Sequence, residues 1–314
     1  MRPIYLTELN RPSGNLLAVI AYGRKEDAPI PDKCPHIRVD MEPLGGAALY
    51  EIWQGQSPVR YRREQDITLA EMDGVLFGAL SMDPGVGCFA AVTQAAYSRI
   101  FAITEQAGFP HLVRCWNYFP AITEQDGALE RYHAFSLGRH EAFARASRRI
   151  ESAPAACALG SAAGPFNILF LAARVPGQPI ENPRQISAYK YPEQYGPKSP
   201  VFSRAMLSSM GGNRGLFISG TASIVGHASL HENDVAAQLE ETLANIDALL
   251  REARRAGLSE NAALQLKAYI RDPAMAPAVQ QRVAHWLPPS GQLVCLKADI
   301  CRKELLVEIE GFCA

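Results

Sequence analysis

No stretch of this 314-residue chain approaches the roughly 20 apolar residues that a membrane-spanning helix needs, so no membrane partner is expected. Charge of one sign is not in excess either. Lys and Arg number 31 against 32 Asp and Glu, for a formal net charge of −1. The basic stripe that nucleic-acid binding requires is missing. The first residues, MRPIYLTELNRPSG, show neither an apolar core nor a small-residue cleavage site, so a cytoplasmic protein is expected. The seven cysteines (Cys34, Cys88, Cys115, Cys157, Cys295, Cys301 and Cys313) are odd in number and form no CxxC. Free thiols suit that pattern better than disulfides or zinc. No HExxH occurs, and GGNRG at 211–215 lacks the Lys-Ser/Thr of a phosphate loop, so it reads as a hairpin turn. His227 and His231 have half-site spacing but sit in the Gly-flanked, loop-like GHASLHEND, so no metal is expected.

What is present is an ordinary globular composition, 48% hydrophobic and 20% charged, in a length that favours two domains. Two helices stand out. Residues 90–107 place Val92, Ala96, Ile100 and Ile103 at helical spacing, and Gly108 ends the run. Residues 235–256 place Val235, Leu239, Leu243, Ile246 and Leu250 on one stripe, with Asp234 as cap and Gly257 at the left-handed stop.

The surroundings of the two helices match. VLFGALSM (75–82) precedes the first and LFISGTASI (216–224) the second. LVRCWNYFPAI, a helical 130–146 and FNILFLAAR follow the first; LQLKAYIRDPAM, a helical 278–287 and LVCLKADICRKELLVEIEG follow the second. This order predicts an internal duplication of an α+β unit, each half a sheet with helices on one face. The expected domains are 1–150 and 151–314, the second carrying the active site. The small-residue stretch 152–165 belongs to the expected join. The Tyr- and Pro-rich run 187–205 reads either as a loop over a pocket or as a surface connection.

Some polar residues interrupt apolar strand patterns: Ser219, Thr221 and Ser223 in the first segment, Cys301, Glu308 and Glu310 in the last. In ELLVEIEG, a two-residue period puts Leu305, Val307 and Ile309 on one side and Leu306, Glu308 and Glu310 on the other. The carboxylates then face either an internal cleft, where desolvation would raise a pKa, or a solvated outer face. Arginines lie near aromatics: Arg114 with Trp116 and Tyr118, Arg131 with Tyr132, then Arg139, and Arg204 after Tyr195. A guanidinium suits a bidentate grip on a carboxylate.

LFISG, NDVAAQLEETLANIDALL, LKAYIRDP and LLVEIEG together resemble the YjgF/RidA pattern over about the last third of the chain. That resemblance implies a chorismate-mutase-like fold and, by analogy, imine-clearing homotrimers. Over most of the length, RCWNYFPAI, ERYHAFSLGRHEAF, SAYKYPEQYGPKSP, FISGTASIVGHAS and DICRKELLVEIEG resemble the chorismatases, five motifs in the same order. The resemblance implies chorismate as substrate, pyruvate as one product, no cofactor, and a monomer or homotrimer. It implies that Glu308 protonates the enolpyruvyl methylene. Cys301, seven residues earlier, matches hydroxybenzoate-forming members, and Ala222 is a second variable position. On this resemblance Arg139 and Arg204, with Tyr132 and Tyr195, would orient the dianion. The expected product is chiefly 3-hydroxybenzoate, with 4-hydroxybenzoate as a second isomer. The alternatives are hydrolysis to a dihydroxycyclohexadiene carboxylate, a RidA-like imine deaminase or binding protein, and a silent scaffold.

Overall fold

The structure is a computed structural model that describes residues 2–9, 15–23, 30, 32–46, 48–85, 88–210 and 213–314. Four strands come first: β1 (Arg2–Leu6), β2 (Asn15–Tyr22), β3 (His36–Val39) and β4 (Leu49–Gly55), in the order β1-β4-β2-β3. Next come β5 (Arg60–Glu64), β6 (Ile67–Met72), β7 (Val75–Met82), α1 (Phe89–Gln106) and β8 (His111–Pro120). A short hairpin of β9 (Gln125–Asp126) and β10 (Leu129–Glu130) leads into α2 (Arg131–Arg145), β11 (Ala155–Ser161) and β12 (Phe166–Ala173).

The second half starts with β13 (Gln178–Ile180), β14 (Ala205–Met210) and β15 (Asn213–Ala222). The hairpin of β16 (Ile224–Val225) and β17 (Ala228–Ser229) precedes α3 (Val235–Arg255). The chain closes with β18 (Leu264–Ile270), α4 (Ala276–Trp286), β19 (Gln292–Lys297), β20 (Asp299–Ile300) and β21 (Val307–Cys313).

The two larger sheets share one topology. The first runs β5-β6-β7-β12-β8-β11 and the second β13-β14-β15-β21-β18-β19. In each, one neighbouring pair is parallel, β8 with β11 and β18 with β19, and the rest are antiparallel. A parallel pair needs a crossover, which α2 and α4 supply. Helices α1 and α3 therefore occupy equivalent places, and the duplication expected from the sequence is present in the chain path.

The helices form from the predicted stripes. Asp234 accepts a hydrogen bond from Ala237 N at 3.0 Å, and Gly108 and Gly257 stop α1 and α3 at φ +77° and +98°. Ile100, Phe101, Phe135 and Phe143 cover one face of the first sheet. Leu239, Leu243, Ile246 and Val283 cover one face of the second. The helix-free sides meet in a central core around Trp53 of β4, whose ring lies 5.4–5.9 Å from Phe77, Trp116, Phe217 and Phe312.

The expected boundary at 150/151 is overturned by strand membership. The small-residue stretch taken as the join contains β11, which pairs along its length with β8, and β12 lies inside the same sheet. The first sheet is complete only at Ala173. Strands β1 to β4 form a sheet of their own outside the repeated unit. The two halves are also stitched, since β20 leaves the second half to pair with β11 through Leu159↔Ile300 and Gly160↔Asp299. The tip of the expected GGNRG turn, 211–212, lies outside the described residues; its flanks pair as Met210↔Asn213.

Candidate active site

A cavity of about 290 Å³ opens at the seam between the halves. Its floor is Glu308 of β21. Its walls come from α2 (Tyr132, His133), from the 185–204 segment (Tyr191, Tyr195, Arg204), from the end of β15 and from the loop 301–305. A smaller chamber of about 40 Å³ shares Tyr132, Gly220, Cys301 and Glu308 and reaches Arg139 and Cys157. The cavity therefore draws on both halves. Besides the second half, expected to carry the site, the first half lines it through α2, whose N-terminal turn faces the loop 301–305.

The alternation in β21 resolves the two readings of its carboxylates. Val307 and Ile309 pack in the helix-side core of the second sheet, while Glu308 and Glu310 point inward and are buried, at 5% and 1% exposure. Glu308 makes no hydrogen bond or ion pair among the described residues. Burial, and then the charge of Glu310, push its pKa up to about 8 against the opposing pull of Arg114.

The space for that carboxyl comes from Gly220. The pairing of β15 with β21 slips between Ile218 and Thr221, a bulge, and resumes with Thr221 opposite Ile309 and Ala222 opposite Glu308. A Cβ on Gly220 would lie 1.9 Å from Glu308 Oε1, so only glycine admits the side chain there. Ala222 lines the cavity beside it.

Cys301 starts the loop that follows β20, so the strand exchange between halves sets its position. Burial and then Glu308 hold its pKa up at about 12, so it is a thiol rather than a thiolate. Tyr132, whose ring stacks on Phe135 at 6.2 Å, has a phenol held protonated chiefly by burial.

Three guanidiniums border this space. Arg204 donates through Nη2 to Ile186 O and to the Tyr191 hydroxyl, both at 2.7 Å, and its buried Nε has no partner. Arg139 borders only the smaller chamber. Its guanidinium lies 4.7 Å from the Tyr97 ring centroid, and its buried Nε and Nη2 are both unpaired. Arg302, which sequence reasoning missed although it adjoins Cys301, covers the Tyr195 ring at 3.9 Å and donates to His227 O at 2.9 Å.

Tyr195 meets His227 Nδ1 at 3.2 Å through its hydroxyl. Between its contacts and those of Tyr191, the 187–205 run forms a wall of the cavity rather than a surface connection. His231 instead pairs with Glu241 at 3.4 Å, so the two histidines serve separate contacts. No group of three His, Cys, Asp or Glu side chains suited to a metal occurs among the described residues. No helix among them is long and apolar enough to cross a membrane. Arg114, another arginine in an aromatic setting, lies away from this cavity, fully buried in an ion pair with Glu310.

The arrangement can therefore offer one proton from a buried carboxyl to a ligand held by cationic and phenolic donors. A family model described as "Chorismatase FkbO/Hyg5-like, N-terminal" matches residues 51–172. A 3-hydroxybenzoate synthase of Streptomyces hygroscopicus is 33% identical over 312 residues, covering 95% of this chain and 91% of that protein. A chorismatase of Streptomyces rapamycinicus is 37% identical over 291 residues, covering 90% and 87%. A chorismatase crystal structure superposes with a TM-score of 0.90 at 33% identity, over 99% of this chain and 98% of that one.

Proposed function

This chain belongs to the chorismatase family, and on that premise we propose that it cleaves chorismate to pyruvate and a hydroxybenzoate, chiefly 3-hydroxybenzoate. The observation that carries the reading is the Glu308 carboxyl, unpartnered on the cavity floor with its pKa near 8. A carboxyl that stays protonated at neutral pH is what protonation of an enol ether needs.

Chorismate carries two carboxylates. Arg139 keeps two buried nitrogens unpaired, Nε and Nη2, and Arg204 keeps one, Nε, which is what a charge-assisted grip requires. The hydroxyls of Tyr132 and Tyr195 sit in the same walls and serve as orienting donors. Glu308 passes its proton to the vinyl methylene, and the side chain becomes an oxocarbenium ion. The neighbouring C4 hydroxyl attacks ring C3 as the C3–O bond breaks and pyruvate leaves, and the hydroxyl proton returns to the Glu308 carboxylate. The epoxide-like intermediate opens at C4 and loses the C3 ring proton to give 3-hydroxybenzoate with no net water consumed. Attack by water gives the diol instead. Cys301 beside Glu308 favours the first course by contacting the ring or passing a proton, and Ala222 shapes the space opposite.

No cofactor takes part in this scheme, because the substrate brings its own leaving group. The unpaired cysteines suit a cytoplasmic enzyme. One chain supplies every wall named here, which suits a monomer or a homotrimer with a site in each chain. Incubating the pure protein with chorismate and resolving the products tests the reading. Pyruvate and hydroxybenzoate in equal amounts are expected; unchanged chorismate sinks it, and pyruvate with only the diol turns it to hydrolysis.

A further inference from the structure

Behind the cavity floor lies a set of buried charges that the reaction scheme does not use. Lys267 of β18 stands directly across from Glu310 in the strand register and forms an ion pair with it. The same ammonium contacts Glu51 Oε2 at 2.6 Å and the Tyr22 hydroxyl at 3.0 Å. Arg114 of β8 binds the other oxygen of Glu310, and the Tyr269 hydroxyl donates to Oε1 at 3.0 Å. Glu51 is fixed in turn by Trp53 Nε1 at 2.9 Å.

Two carboxylates and two cations balance here, all at 3% exposure or less. A buried charge set of this kind is costly to assemble and is weak evidence for stability alone. Its members come from all three larger sheets and converge on a carboxylate two residues from Glu308, about 7 Å along the same strand face.

We propose that Glu310 is a positioning residue for the general acid: locked as a carboxylate by Lys267 and Arg114, it stands as a fixed negative charge that keeps the proton on Glu308. This rests on the reading of Glu308 as the acid. Two more carboxyls, Glu130 and Glu304, line the cavity, but Glu304 accepts from the Ser229 hydroxyl at 2.7 Å, and among the charged groups it is Glu310 that raises the Glu308 pKa and Arg114 that lowers it. From β11 comes Cys157 and from α2 Tyr132, both held in the neutral form chiefly by burial. The loop 301–305 brings the Cys301 thiol, with Arg302 and Glu304 at the cavity wall, and Arg204 lines the far segment. Arg114 is the opposing cation, and it is already engaged by Glu310. Burial pushes the Glu310 pKa up, but Lys267 and then Arg114 outweigh it and hold it at about 2, whereas Glu308 stays near 8. Two carboxyls pushed apart in this way divide into a fixed anion and an acid.

The test is the titration of the Glu308 carboxyl itself, followed by infrared difference between the wild type and Glu308→Gln. It is repeated in a Glu310→Gln background and in Glu310→Gln/Lys267→Gln, which removes one member of each sign. In a folded variant the midpoint should fall by at least about one pH unit, with the alkaline limb of kcat/KM moving alongside it. An unmoved midpoint in either folded variant overturns the proposal, even if chorismate turnover confirms Glu308 as the acid. Absence of turnover in the wild type would strike the functional reading and leave the titration to stand by itself. If neither variant folds, Glu310→Asp, which keeps the charge but draws it back by one methylene, is compared with the wild type. A lowered Glu308 midpoint supports the fixed charge, and an unmoved one, or a wild-type midpoint at or below about 5, rejects it.

Discussion

At the scale of single residues, the central requirement is a carboxyl still protonated when substrate arrives. Glu308→Gln keeps shape and volume but cannot give up a proton. We expect kcat to fall roughly 10²–10⁴-fold with KM little changed. The sign of the pH dependence follows from the raised pKa: the acid is competent below about 8 and is lost as pH rises through that value. Stopped assays of pyruvate release across pH check both points; retention of more than about a tenth of the activity removes Glu308 from the role. Arg139→Ala and Arg204→Ala should each cost roughly 2–4 kcal/mol in kcat/KM, because a dianion loses a charge-assisted pair. Normal kinetics in either variant exclude that residue from the substrate. Cys301→Ala should leave pyruvate release largely intact and move ring products towards the diol. If Cys301 is only packing, stability drops by about 1 kcal/mol and the product ratio stays put, which chromatography reads directly.

At the scale of elements, what was legible follows from periodicity. α1 and α3 were readable because their stripes repeat at 3.6 residues and end at Gly108 and Gly257, where φ is positive. Asp234→Ala should therefore lower stability by about 1 kcal/mol without changing turnover, as denaturant titration beside an activity assay will show; an unchanged midpoint denies the cap a role. β11 was not legible. AACALGS has small side chains and no alternation, because both its faces are covered and large residues are supplied by its neighbours. Glu308, Cys301, Arg139, Arg204, Tyr132, Tyr195 and Ala222 were singled out from strand chemistry and resemblance, and all border the two adjoining chambers. Gly220 and Arg302 were missed for different reasons. A glycine's role at a bulge depends on the partner strand, and the stacking of Arg302 on Tyr195 joins segments more than 100 positions apart.

At the scale of the whole molecule, the repeat explains why one chain can form a cavity at all. Two sheets of one topology turn their helix-free sides inward, and the N-terminal sheet fills the remaining side. Trp53 is where that sheet touches both halves, through Phe77 and Trp116 of the first and Phe217 and Phe312 of the second. Its indole also holds Glu51 in the buried charge set. Trp53→Ala removes a large fully buried ring and a hydrogen bond together, so a loss of about 3–5 kcal/mol is expected. The more telling outcome is the shape of the transition. Because the three sheets share one core, fluorescence, circular dichroism and activity should be lost together as temperature rises, at a lower midpoint than in the wild type. An N-terminal sheet that melts first while chorismate turnover continues would mean that it is an appendage. In that case the charges it anchors through Glu51 do not reach the cavity floor.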